Sequence, residues 1–133
     1  MVIAQNKMGV TSFFEKEKLL ISSYTAGEVD SDLVIEHLRK LIDFYKKNEI
    51  LKSVVDVSEV LGSFAKIMAF LESDYYPVAI KNGLKVQAYV ASDELIIKNL
   101  SLRLEMMASM FNVKSNVFKT RAEAENWVKK IKL

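Results

Sequence analysis

Ser53-Val54-Val55-Asp56-Val57-Ser58-Glu59-Val60-Leu61-Gly62-Ser63-Phe64 decides how this chain folds. The first half is a β-branched run that meets a carboxylate, Asp56. The second half holds Gly62 and a cap-forming Ser63 ahead of a new apolar stripe. Valines with almost no polar alternation mark a strand covered on both faces, as in a parallel sheet. Glycine followed by serine marks a turn and the start of a helix. A strand that runs into a helix is half of a βαβ unit, so the flanking segments should alternate in the same way.

Upstream, Val10–Lys16 and Lys18–Tyr24 are runs of strand formers, with Glu15-Lys16-Glu17-Lys18 as a solvated hairpin turn between them. Asp30 and Ser31 are N-cap candidates for a helix from Asp32 to Lys47. Its apolar face is Val34, Leu38, Leu41, Ile42 and Tyr45, opposed by charged residues. Downstream, Ser63 is expected to cap a helix carrying Phe64, Ile67, Met68 and Leu71. Pro77 has no amide donor and disfavours helical geometry at Tyr76, so that helix should bend or break over Ser73–Pro77. It then resumes over Val78–Lys81 and ends at Asn82-Gly83.

Lys85–Ala91 is the next strand. Ser92 or Asp93 then starts a long helix with Ile96, Leu100, Leu104, Met107 and Phe111 on its buried stripe. Lys114–Lys119 is a fifth strand. Thr120-Arg121-Ala122-Glu123 is a capping box opening a last helix that turns Ala124, Trp127, Val128 and Ile131 inward. The order ββαβαβαβα implies an α/β architecture in a single domain spanning residues 1–133. Its sheet would be mostly parallel and five-stranded, with an antiparallel edge hairpin and helices covering it, and with residues 1–9 flexible.

Composition narrows the function. The 133 residues are 50% hydrophobic and 27% charged, ordinary proportions for a globular protein with a substantial core. There is no cysteine, so disulfides and thiolate chemistry are excluded. No apolar run approaches the roughly 20 residues of a membrane span, and the N-terminus lacks a secretory pattern, so a cytoplasmic protein is expected. Net charge is +2, and the three arginines, Arg39, Arg103 and Arg121, are scattered. Lys129-Lys130-Ile131-Lys132 suits the negative end of a helix dipole better than a nucleic-acid surface, and no nucleic-acid partner is expected.

Three stretches carry a resemblance: Asp56-Val57-Ser58, Tyr76–Ala88 (YPVAIKNGLKVQA) and Val117–Val128 (VFKTRAEAENWV). With the order of elements, they are similar to the bacterial SpoIIAA-like (STAS-like) family. The fold of that family resembles anti-sigma-factor antagonists and the lipid-binding module of SEC14 and CRAL-TRIO proteins. In the antagonists, a serine at the start of the helix after the central strand is phosphorylated and controls binding to a partner kinase. The resemblance thus implies a regulatory turn at Asp56, Ser58, Gly62 and Ser63. A helix N-terminus accommodates phosphate, and new negative charge can disrupt a docking surface. The Asp-Ser-Ser-Gly element of the antagonists is absent and the turn is shorter. The residues themselves therefore favour an N-cap for Ser63 and a turn-orienting role for Asp56, with ligand or partner contact as the alternative for Asp56.

Enzyme chemistry finds little support. His37, the only histidine, lies beside Leu38 and Leu41 on the packed side of its helix and reads as structural. No phosphate loop, nucleophile elbow or metal motif is present, and no cofactor is implied. The leading expectation is a non-catalytic binding or regulatory domain with a protein partner or a homodimer. The alternative is binding of a lipid or small apolar ligand, and the third is an unrecognised enzyme. For the alternative, Met68, Phe70, Leu71, Tyr75, Tyr76, Met106 and Met110 form a candidate apolar pocket or interface on the second and third helices.

Overall fold

The computed structural model describes residues 1–92, 94, 98–99, 102–103, 106 and 110–133. In chain order its elements are β1 (Val2–Gln5), β2 (Gly9–Phe14), β3 (Leu19–Tyr24), β4 (Gly27–Glu28) and α1 (Ser31–Lys47). Next come β5 (Lys52–Asp56), β6 (Val60–Leu61), α2 (Ala65–Phe70), a π-helical segment (Leu71–Tyr75) and α3 (Tyr76–Lys81). β7 (Val86–Val90), β8 (Lys114–Phe118) and α4 (Arg121–Lys130) complete them. Glu94, Lys98, Asn99, Leu102, Arg103, Met106, Met110 and Phe111 are also helical. The expectations placed on Asp93, Ile96, Leu100, Leu104 and Met107 lie outside the described residues. Phe111, expected on the buried stripe, is exposed.

The main sheet has six strands in the order β1-β2-β3-β5-β7-β8. β1, β2 and β3 are antiparallel, and β3, β5, β7 and β8 run parallel. β5, the run read from the opening stretch, lies inside the sheet between β3 and β7. The sixth strand, β1, adds to the five expected and falls within the segment 1–9. Val2–Gln5 pairs with β2, and Ala4 and Met8 are buried. Without β1, the ladder groups of β2 would be an open edge.

Strand alternation sorts the core into two layers. Leu19, Ile21, Val54, Val86, Ala88 and Val90 pack with Ala124 and Val128 of α4. The opposite face, with Phe13, Leu20 and Tyr89, packs against α1, α2, the π segment and α3. Thr120 caps α4 as expected, its hydroxyl accepting from the Glu123 amide at 3.3 Å. The reciprocal half differs from a capping box, because the Glu123 carboxylate accepts from the Thr120 hydroxyl at 2.8 Å. Lys52 closes the other end of α4, its Nζ donating to the Val128 carbonyl at 2.7 Å. The charge there complements the helix dipole.

Two local expectations are corrected. Tyr76 keeps helical geometry (φ −63°, ψ −38°), and its amide bonds to the Leu71 carbonyl, five residues back. The wider π turn accommodates the proline ring without breaking the helix. Ser63 is not the N-cap of α2. That position is Phe64, without a side-chain cap, and the Ser63 hydroxyl accepts from the Ala65 amide at 3.3 Å. Just before it, β6 pairs in parallel with β4.

Candidate functional site

Alternation along β3, β5 and β7 directs Ser22, Tyr24, Val55, Gln87 and Tyr89 to the face beneath α1 and α2. Above them stand Val34, Leu38 and Leu41 of α1, Ile67 and Met68 of α2, and Leu71 and Tyr75 of the π segment. These two layers do not meet fully. A cavity of about 60 Å³ lies between them. That exceeds the ~10–15 Å³ one water needs and falls short of the ~150 Å³ of a dry cavity that accepts benzene. Tyr24, Val29, Val57 and Phe64 line it and are partly exposed, so they mark its mouth. Among the described residues, no charged side chain lines it.

The polar groups of the cavity come from the sheet. Gln87 is 1% exposed, and its Nε2 donates to the Tyr76 hydroxyl at 2.7 Å. Tyr76 and Tyr89 share a short hydroxyl–hydroxyl hydrogen bond. Gln87 Oε1 is buried without a hydrogen-bond partner among the described residues. A buried amide oxygen left unpaired is costly, by about 1–3 kcal/mol. Burial, reinforced by neighbouring tyrosines, raises the Tyr24, Tyr75 and Tyr76 hydroxyls far above the usual phenol range. Tyr89 is pushed up to about 12, mainly by burial. These hydroxyls are therefore neutral donors and acceptors at physiological pH.

A second buried chain borders the cavity. Ser22 Oγ and Thr11 Oγ1 are 2.7 Å apart, and Thr11 Oγ1 is 2.7 Å from His37 Nε2. His37 is 1% exposed and packs edge-on against Tyr24, and its Nδ1 has no partner among the described residues. Burial, with a smaller contribution from Lys40, lowers its pKa from 6.5 to about 4. It is a neutral structural histidine.

The residues singled out from sequence divide. Met68, Leu71 and Tyr75 line the cavity. Tyr76 is behind it, bonded to Gln87 and Tyr89. Phe70 is buried elsewhere, beneath the Arg39 guanidinium at 5.0 Å. Met106 and Met110 are exposed and do not line the cavity. The described lining places the cavity between the sheet and α1, α2 and the π segment.

The turn residues form its border. Asp56 Oδ1 accepts from the Ser58 amide at 3.0 Å and the Ser58 hydroxyl at 2.6 Å, so it orients the turn. The Ser92 hydroxyl donates to the Ser58 carbonyl at 2.7 Å. Gly62 has φ +109°, and a Cβ there would sit 3.1 Å from Val29 Cγ1. Asp56, Ser58, Gly62 and Ser63 do not line the cavity, but Val57, Val60 and Phe64 between and beside them do. Ser22, Tyr24, Gln87 and Tyr89 were missed by sequence reasoning. The available signal was a carboxamide at Gln87 within a strand whose five residues are all buried.

No family model and no curated protein matches the chain. Among solved structures, it is similar to an uncharacterized protein of the DUF3478 family with a SpoIIAA-like fold from Shewanella loihica PV-4. That likeness has 14% identity and a TM-score of 0.58, covering 94% of this chain and 97% of the other. It is also similar to an anti-sigma factor antagonist from Mycobacterium paratuberculosis, at 16% identity and a TM-score of 0.51, covering 96% of this chain and 99% of the other. The six-stranded sheet, its antiparallel edge and its helical layers therefore make up a SpoIIAA-like fold, the fold that the sequence resemblance implies.

Proposed function

We infer that this chain is a non-catalytic binding module whose occupant is a small, mainly apolar molecule held between the sheet and α1–α2. The observation that carries this reading is the partly open apolar cavity with an unpaired amide oxygen, Gln87 Oε1, among its lining residues. A folded protein gains by filling such a space, because the lining side chains have no partner atoms across it. The volume favours a small molecule over a long-chain lipid. An acyl chain would need α2 and the π segment to move away from the sheet.

A regulatory role is the second reading, and it rests on the turn after β5. Leu61 is exposed on the β4–β6 ribbon, while Val57, Val60 and Phe64 of the same turn reach the cavity. Occupancy would thereby be felt at a surface that a protein partner can read. No charge change at Ser63 is needed for this.

Saturation-transfer NMR with methyl propanoate, comparing the protein with Ile67→Trp, tests the binding reading. Ile67 lines the cavity, so the added indole fills it. Transfer to the probe is expected in the unmodified protein and is lost in the variant, with far-ultraviolet circular dichroism unchanged. Equal transfer in both, or none in either, overturns it.

A further inference from the structure

The hydrogen bonds inside the cavity specify more than an apolar body. Gln87 Nε2 donates to Tyr76, and Tyr76 lies in a short hydroxyl contact with Tyr89. An oxygen that accepts a hydrogen bond becomes a better donor, so the Tyr76 proton is directed to Tyr89. Tyr89 has then accepted, and its own proton remains to be placed. Tyr89 lines the cavity, as does Gln87. Both residues line one space: Gln87 Oε1 has no hydrogen-bond partner among the described residues, and with the Tyr76 proton given to Tyr89 the Tyr89 hydroxyl keeps a proton to donate. Gln87 and Tyr89 are two residues apart on β7 and share a face of the sheet.

We propose that this end of the cavity recognises a neutral head group that both donates and accepts a hydrogen bond, of the carboxamide class. The amide N–H bonds to Gln87 Oε1, and the amide carbonyl accepts from the Tyr89 hydroxyl, closing the relay into a ring. The proposal rests on the binding reading above and adds the chemistry of the head. Carboxylates and ammonium groups are disfavoured by the site, because among the described residues no side chain of opposite charge lines it and a buried unpaired ion is strongly disfavoured. Esters are disfavoured because they leave Gln87 Oε1 unpaired. The apolar body lies among Leu38, Ile67, Met68 and Leu71 and continues towards the mouth at Val57 and Phe64.

The test is a set of NMR titrations at neutral pH with four short probes: butanamide, methyl propanoate, butanoate and butylammonium. Butanamide is expected to bind at least ~tenfold more tightly than the other three, as sites built for a donor discriminate against analogues lacking it. Gln87→Met should remove that advantage, so that butanamide binds no more tightly than methyl propanoate. Should Gln87→Met fail to fold, the four probes on the unmodified protein decide the matter alone. Butanoate or methyl propanoate binding as tightly as butanamide overturns the head-group assignment and leaves the cavity reading intact. No binding by any of the four overturns both.

Discussion

Buried His37 makes stability pH-dependent in a direction set by its surroundings. In the unfolded chain it titrates near 6.5, and in the folded protein near 4, chiefly because burial disfavours the imidazolium. The folded-state value is the depressed one. Above pH 6.5 both states carry neutral imidazole, and the group has no effect. As pH falls below 6.5 the unfolded chain takes up a proton that the folded protein refuses, and stability is lost until pH reaches about 4. At ~1.4 kcal/mol per pH unit the full gap corresponds to about 3 kcal/mol, most of which is lost between about pH 7.5 and about pH 4.5. Urea unfolding at these two pH values measures the loss. His37→Gln keeps a donor for Thr11 and removes the titration. Subtracting its loss from that of the unmodified protein cancels the carboxylates common to both. The difference should be about 2–3 kcal/mol. Equal losses in the two proteins would refute the reasoning, placing the imidazole in contact with water.

Other perturbations follow from single contacts. Thr120→Ala removes the cap of α4 and should cost about 1 kcal/mol in denaturant unfolding. Tyr76→Phe leaves Gln87 Nε2 and Tyr89 without their partner and should cost about 1–3 kcal/mol in the same assay. Gly62→Ala meets both the positive φ and the Val29 side chain. It should cost more than about 1 kcal/mol and weaken probe binding at the adjacent mouth. Deleting residues 1–8 opens the β2 edge and is expected to lower Tm by several degrees and to raise concentration-dependent association in light scattering.

What the sequence made legible are features with strong local physics. The valine run of β5, the Thr120 cap and the charged turn of the β2–β3 hairpin each combine a periodic signal with a terminating residue. β1, β4 and β6 escaped because strands of four, two and two residues have too little length for alternation to register. Their pairing is decided by the edges and loops they meet. The π segment was half legible. Pro77 announced an irregularity, but the Tyr76 geometry depends on how the preceding turn widens.

The site was less legible than the fold. Met68 and Leu71 were legible as part of one apolar helical stripe and Tyr75 as a hydrophobe off it, yet Phe70, Met106 and Met110, candidates on the same grounds, lie elsewhere. The polar half of the cavity comes from strands, where a shift of one residue in register reverses every side chain. Gln87 faces the cavity only because β7 pairs Gln87 with Ser53 of β5, and that pairing spans the whole α2–α3 connection. Nonlocal register is what the local pattern lacks.

The central claim is that the space beneath α1 and α2 is a binding site. Carbon-13 labelling of the methionine methyl groups tests it most directly, because methionines stand both at the cavity and far from it. Met8 and Met68 line the cavity, whereas Met1, Met106 and Met110 are exposed. Titration with butanamide should shift the Met8 and Met68 methyl resonances in a saturable manner and leave those of Met1, Met106 and Met110 in place. Saturable shifts at Met106 and Met110 with Met8 and Met68 unmoved would contradict the account.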